Sequence, residues 1–266
     1  MLSSMANATA STAARCTAEV IGTFILIFFG CGAVHTAVTT GATSGVLQVG
    51  LVWGIGVMIG AFTVGHVSGA HLNPAVTLAL AVWGGFEKRL VLPYWAAQTI
   101  GAALAAIVLH FIFSGTIDAY ELKEGIVRGE ANSVVTAAMY GEYFKVSLPS
   151  AFLAEVIGTG VLAAAIFALT DSRNSGSPGS NLAPLFIGLC VAAIIAVIGP
   201  LTQSCLNPAR DFGPRIVAFF AGWGSIAFPG PHGAVGTLAV YLFAPLLGAV
   251  LGGGIYTKIL KPHGGM

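Results

Sequence analysis

His71-Leu72-Asn73-Pro74-Ala75-Val76-Thr77 and Cys205-Leu206-Asn207-Pro208-Ala209-Arg210-Asp211 are two versions of one short motif. Each sets a polar Asn before a Pro inside strongly apolar sequence. Asn is a good helix N-cap and Pro is favoured at the first helical position, so Asn-Pro-Ala predicts the start of a helix. A helix start leaves free N–H donors and the positive end of a dipole. Two such starts at membrane depth would be the signature of a pore.

The surrounding composition supplies that depth. The chain has 266 residues, 56% of them hydrophobic and 8% charged. A soluble domain carries about 25% charge, so this composition belongs in a membrane, and its long apolar runs make the expected fold class an all-α membrane protein. The net charge is +1, with no basic face, which argues against a nucleic-acid partner. Cys16, Cys31, Cys190 and Cys205 lie in apolar segments without a CxxC pair, so neither a disulfide framework nor a metal or cofactor site is expected. The 36 glycines suit helices packed through small residues. The first eleven residues, Met1 to Ser11, lack a basic n-region, and the apolar run at 17–38 is too long for a signal-peptide core. It is expected to be an uncleaved first span.

A hydrocarbon core of about 30 Å needs about 20 apolar residues. Six segments qualify: roughly 14–38, 45–67, 91–114, 149–170, 183–201 and 238–259. Two shorter apolar pieces, about 74–84 and 208–222, follow the Asn-Pro-Ala motifs. The first amounts to about 15 Å of helix at 1.5 Å per residue, which reaches halfway across and predicts a re-entrant half-helix. The backbone leading into it, 66–72, is expected to be non-helical, tolerated at that depth only where it lines water or is covered by protein.

Six spans put Arg15, Lys88, Arg89, Arg173, Lys258 and Lys261 on one side. The other side has no Lys or Arg at 39–44, and its long connection carries three against five acids. Both termini are therefore expected in the cytoplasm, with 116–148 as an extracellular connecting loop. The glycosylation-like triplet Asn7-Ala8-Thr9 then falls inside.

Ala18-Glu19-Val20-Ile21-Gly22-Thr23 recurs letter for letter as Ala154-Glu155-Val156-Ile157-Gly158-Thr159, at nearly the separation of the two Asn-Pro-Ala motifs. Each half holds three spans, an odd number, so the second inserts upside down. The expected architecture is one channel domain over 1–266, with repeats at about 14–115 and 149–260. Asn73 and Asn207 then meet near the midplane.

Their two amide groups, reinforced by two half-helix dipoles of about +0.5 charge each, would orient a passing oxygen and repel cations and hydronium. Arg210 stands where the first motif has Val76, and a charge there must face a cavity and find carbonyl partners. Glu19 and Glu155 are duplicated acids in apolar spans. They are expected to accept N–H donors from the non-helical loop of their own half, with Gln98 assisting. His66 and His71, the close histidine pair, are read as lining the mouth and bracing the loop, with metal ligation the weaker alternative. No nucleophile–base set or catalytic motif is present, so the chain does not read as an enzyme.

These residues together resemble the aquaporin, or major intrinsic protein, superfamily over essentially the whole chain, from Arg15 to about Lys261. The resemblance implies six transmembrane helices plus two half-helices, one pore per protomer, a homotetramer in the plasma (cell inner) membrane, and passive conduction without ions. Asp211 after Arg210, Arg215 in Asp211-Phe212-Gly213-Pro214-Arg215, and Pro245-Leu246 in span six are similar to the glycerol facilitator branch. Trp53 matches the aromatic wall of that branch's filter, so the implied constriction is Trp53, Ile195, Ser204 and Arg210. Glycerol facilitators usually have Gly and a second aromatic where this chain has Ile195 and Ser204, a pair similar to an archaeal branch. His66 in Gly65-His66-Val67-Ser68-Gly69 resembles the water-channel branch. The expected activity is passive conduction of water and small neutral polyols such as glycerol across the bilayer. The alternatives are a channel for water or other small neutral solutes with glycerol incidental, and a gradient-coupled secondary transporter.

Overall fold

The computed structural model describes residues 10–179 and 181–261. The tail with Asn7-Ala8-Thr9 lies outside the described residues. Among those described there is no strand, and six helices are long and apolar enough to cross a membrane. In chain order the helices are α1 (Thr12–Thr40), α2 (Val46–Ser68), α3 (Pro74–Trp83), α4 (Val91–Glu124), α5 (Leu148–Thr170), α6 (Ala183–Thr202), α7 (Pro208–Ala218) and α8 (Gly233–Leu260). The two short ones, α3 and α7, are the half-helices that begin at the Asn-Pro-Ala motifs.

Local chemistry sets the ends. Ser11 caps α1 by accepting from the Ala14 N–H at 3.2 Å, and Gly41 closes it in the left-handed conformation at φ 67°. Ser147 caps α5, with Pro149 in its first turn.

Three boundaries differ from expectation. α4 runs to Glu124, well into the stretch expected as loop. Its 34 residues make about 51 Å of helix, far more than a bilayer core requires. Hydropathy ends near residue 114, but helix-forming polar residues carry the backbone on until Gly125 stops it at φ 65°. Arg128 then folds back onto this projecting turn, pairing with Asp118 at 2.7 Å and Glu121 at 2.8 Å. α8 begins at Gly233, before the apolar run expected from 238. α2 continues through His66 to Ser68, so His66 is helical and exposed rather than in an irregular loop.

Packing is organised by the repeat. α1 lies against α2 and α4, α5 against α6 and α8, and α2 joins α6 across the two halves. Each half-helix is held by the other half: α3 packs on α8 and α7 on α4. Matching close approaches mark equivalent crossings. A Cβ on Gly101 would strike the Val20 carbonyl between α4 and α1, and one on Gly248 would strike the Val156 carbonyl between α8 and α5. The halves touch where Gly54 and Gly188 meet backbone to backbone. Such approaches carry helix association in lipid, where the hydrophobic drive between helices is absent.

Candidate functional site

The loops before the two half-helices form the centre of the molecule. Ala70 and Leu72 in the first, and Gln203, Ser204 and Leu206 in the second, have positive φ between 50° and 64°. This conformation is costly for residues with a Cβ and persists only where the surroundings hold it.

Two buried carboxylates do the holding. Glu19 accepts from the N–H groups of His71 at 2.9 Å and Leu72 at 2.7 Å, and from Ser68 Oγ and Gln98 Nε2. Glu155 accepts from the N–H groups of Cys205 and Leu206, both at 2.9 Å, and from Thr202 Oγ1. Tyr94 donates to the Ser68 carbonyl in one half, and Tyr241 to the Thr202 carbonyl in the other. Residues of both loops, Ala70, His71 and Leu72 from the first and Ser204, Cys205 and Leu206 from the second, line one shared cavity.

Asn73 and Asn207 bring the loops together. Each Oδ1 caps its own half-helix, at Ala75 N for the first and at Ala209 N and Arg210 N for the second. Each Nδ2 crosses to the other loop: Asn73 donates to the Leu206 carbonyl at 2.9 Å, and Asn207 to the Leu72 carbonyl at 2.8 Å. One amide hydrogen per Asn is left for the cavity that both residues line. Pro74 and Pro208 have no N–H to orphan, and Ala75 and Ala209 are buried.

That cavity, of about 90 Å³, has Leu26, Val57, Val76, Leu162, Ile187 and Val191 among its walls. Its polar lining residues include His71, Asn73, Ser204, Asn207 and Arg210. A second cavity of about 290 Å³ opens on the side of Glu142, Lys145 and Gln203. Trp53, Ile195 and Arg210 line both, so they stand at the junction. Ser204 lines the inner one, and its buried Oγ has no partner among the described residues.

Arg210 is 4% exposed. Its Nη1 donates to the Tyr140 carbonyl at 3.1 Å, its Cζ lies 4.3 Å from the centre of the Trp53 ring, and its Nη2 forms an ion pair with Glu142. Burial pushes the Glu142 carboxyl up to about 8, against the pull of Arg210.

Asp211 and Arg215 fix the segment that delivers Glu142. Arg215 binds Asp211 at 2.7 and 2.9 Å and donates to the carbonyls of Glu142 and Ala227. Asp211 in turn accepts from the Glu142 N–H at 2.6 Å. Sequence reading missed Glu142 and Tyr140, because nothing local ties a loop residue to an Arg seventy positions on. Asp211 and Arg215 after the motif were the available hint that a second segment of chain had to be held there.

The remaining singled-out residues lie around this centre. His71 is buried against Phe86 and Tyr94, with ring centres at 4.5 and 5.0 Å, and its Nδ1 meets Thr77 Oγ1 at 3.1 Å. His66 is exposed near the end of α2 and is not among the residues lining either cavity described above. Pro245 is buried in α8, and Leu246 packs on the Ala75, Ala79, Ala163 and Ala249 cluster behind α3.

Comparison with known proteins gives a consistent result. The profile of the family described as "Major intrinsic protein" matches residues 6–256. The chain is 43% identical over 257 residues to the glycerol uptake facilitator protein of Pseudomonas aeruginosa, covering 96% of this chain and 91% of that one. It is 39% identical to a propanediol uptake facilitator of Citrobacter freundii, covering 94% and 93% respectively. Among solved structures, the aquaglyceroporin from Plasmodium falciparum superposes with a TM-score of 0.82 at 29% identity, covering 95% of this chain and 98% of that one.

Proposed function

From the premise that the chain belongs to the major intrinsic protein family, we propose that it is a passive channel for water and small neutral polyols such as glycerol. The observation that carries this reading is the pair of Asn amides facing one cavity from opposite loops, in walls that are otherwise apolar. A hydroxyl oxygen entering the centre accepts from Asn73 and Asn207 Nδ2, and its hydrogen is taken by a loop carbonyl. The carbon side of the solute slides along Val57, Leu162, Ile187 and Val191. Cations meet two half-helix N-termini, each worth about +0.5 charge at this point. Arg210 adds a third positive group at the junction with the outer cavity, where Trp53, Ile195 and Ser204 set the size of what passes.

Glu19 and Glu155 support the backbone of the pore and do not relay protons. Both are occupied by N–H groups of the loops, which supports passive conduction over gradient-coupled transport and over any enzymatic role. Residues 1–266 act as one channel domain of two inverted repeats. The distribution of Lys and Arg supports both termini in the cytoplasm of a plasma, or cell inner, membrane protein. The protein works as a homotetramer with one pore in each protomer.

The test is stopped-flow swelling of proteoliposomes with water, glycerol and urea side by side and no ion gradient. Glycerol-driven swelling above protein-free vesicles supports the reading. Flux that saturates and requires an ion gradient would transfer it to a coupled transporter.

A further inference from the structure

The indole of Trp53 lies directly on the backbone of Gly30, a residue of α1 that lines neither cavity and belongs to no motif. A Cβ built on Gly30 would overlap Cδ2, Cε3 and Cζ3 of Trp53 about equally. Three adjacent ring atoms at similar range mean that it would sit over the face of the six-membered ring, not at its edge. The pore-side face carries the guanidinium of Arg210, with Cζ 4.3 Å from the ring centre. Arg210 cannot retreat, because Tyr140 and Glu142 hold its two terminal nitrogens. Trp53 is thus clamped between a bare Cα and a fixed cation, in an interior packed too densely to absorb an extra methyl.

The opposite wall is built with more slack. A Cβ on Gly50 would stand 3.1 Å from both the Ala192 carbonyl oxygen and Cγ2 of Ile195, tight but far short of the 2.1–2.3 Å overlap with the indole at Gly30.

We propose that Gly30 is a positioning residue that sets the size limit of the filter: its missing side chain is the recess into which the Trp53 indole lies back, and that recess leaves room for a carbon-bearing solute. The proposal rests on the channel reading and on Trp53 as a filter wall. Any atom added at Gly30 emerges on the pore side, and glycerol, wider than water, is excluded first.

The experiment compares wild type, Gly30→Ala, Trp53→Phe, the double variant and Gly32→Ala in proteoliposomes, measuring glycerol and water permeability on the same preparations. Gly32 lies on the same helix, where an added Cβ would meet only the flexible end of Leu109 at 3.3 Å, so that variant is expected to match wild type. Gly30→Ala should lower glycerol permeability about tenfold, with a smaller loss for water, the rate equivalent of a modest overpacking penalty. Trp53→Phe removes Cε3 and Cζ3, two of the three overlapping ring atoms, so the double variant should recover to within about threefold of Trp53→Phe alone. An unchanged glycerol-to-water ratio in Gly30→Ala, or a loss that Trp53→Phe does not relieve, overturns the proposal. If Gly30→Ala does not fold but the double variant does, the clash is with the indole as proposed; failure of both overturns it. Wild-type glycerol flux, measured in the same series, tests the channel reading separately.

Discussion

The carboxylate of Glu142 lies on the guanidinium of Arg210 where the outer cavity meets the inner one, and the two residues are only 1% and 4% exposed. Where Glu142 is ionised, above about pH 8, the Arg210 guanidinium therefore carries its own counter-charge, brought by a loop whose backbone Asp211 and Arg215 pin on both sides. Removing one partner of a buried pair leaves the other uncompensated. Glu142→Ala is expected to destabilise the protein by about 3–5 kcal/mol, and Glu142→Gln by less, as read by thermal unfolding in detergent. Equal melting temperatures for wild type and Glu142→Ala would show that the pair contributes nothing.

The same carboxyl gives the flux a pH dependence. Because burial raises it to about 8, Glu142 takes up a proton as the pH falls through that value, and Nη2 of Arg210 becomes available to a passing hydroxyl. Glycerol permeability is expected to be higher at about pH 6 than at about pH 10, and Glu142→Gln should flatten the curve. A curve of the same shape in Glu142→Gln would assign the titration to another group.

Arg210→Ala is expected to weaken exclusion of charged species while water still passes. Proton and cation leak into proteoliposomes, followed with a pH dye and a potential-sensitive dye, reads this out. Unchanged exclusion together with unchanged solute selectivity would remove Arg210 from the filter.

Ser204→Phe fills the one small position of the proposed constriction, on its inner-cavity side. With Ile195 still present, glycerol flux should fall about tenfold and water flux less, since overpacking a fitted site costs at least about 1 kcal/mol. Equal loss of both would mean that Ser204 does not face the solute path.

Glu19→Ala and Glu155→Ala each orphan two backbone N–H groups and at least one side-chain donor. At about 1–3 kcal/mol per buried orphan, either variant should lose several kcal/mol and much of its folded yield. The Gln variants keep one acceptor oxygen and should conduct without any ion gradient. Loss of conduction in well-folded Gln variants would return the proton-relay reading.

How much of this was legible in sequence follows from the range of the interactions. The half-helix starts were readable because Asn-Pro-Ala is a local signal, and the inverted arrangement because six residues around Glu19 recur around Glu155. The end of α4 was not, because the expectation followed hydropathy while the helix followed backbone propensity as far as Gly125. His66 was misplaced for a related reason: the helix stops at Gly69, where φ is 86°, and not where the polar residues begin. Glu142 and Gly30 were invisible because their meaning lies in what packs against them. A loop acid reaches Arg210 only once Asp211 and Arg215 fold it inward, and a helix glycine matters only where an indole lies against it.

The two Asn amides each donate to the opposite loop, so the centre of the passage presents the same pattern to a molecule arriving from either side. A passage with no coupled energy source cannot drive a solute uphill, even with Arg210 standing on one side of that centre. Influx and efflux climb the same hill, and net movement follows concentration alone. Such a pore gives a cell speed of equilibration rather than accumulation, and any lasting inward flow has to be drawn by a cytoplasmic reaction that consumes the solute.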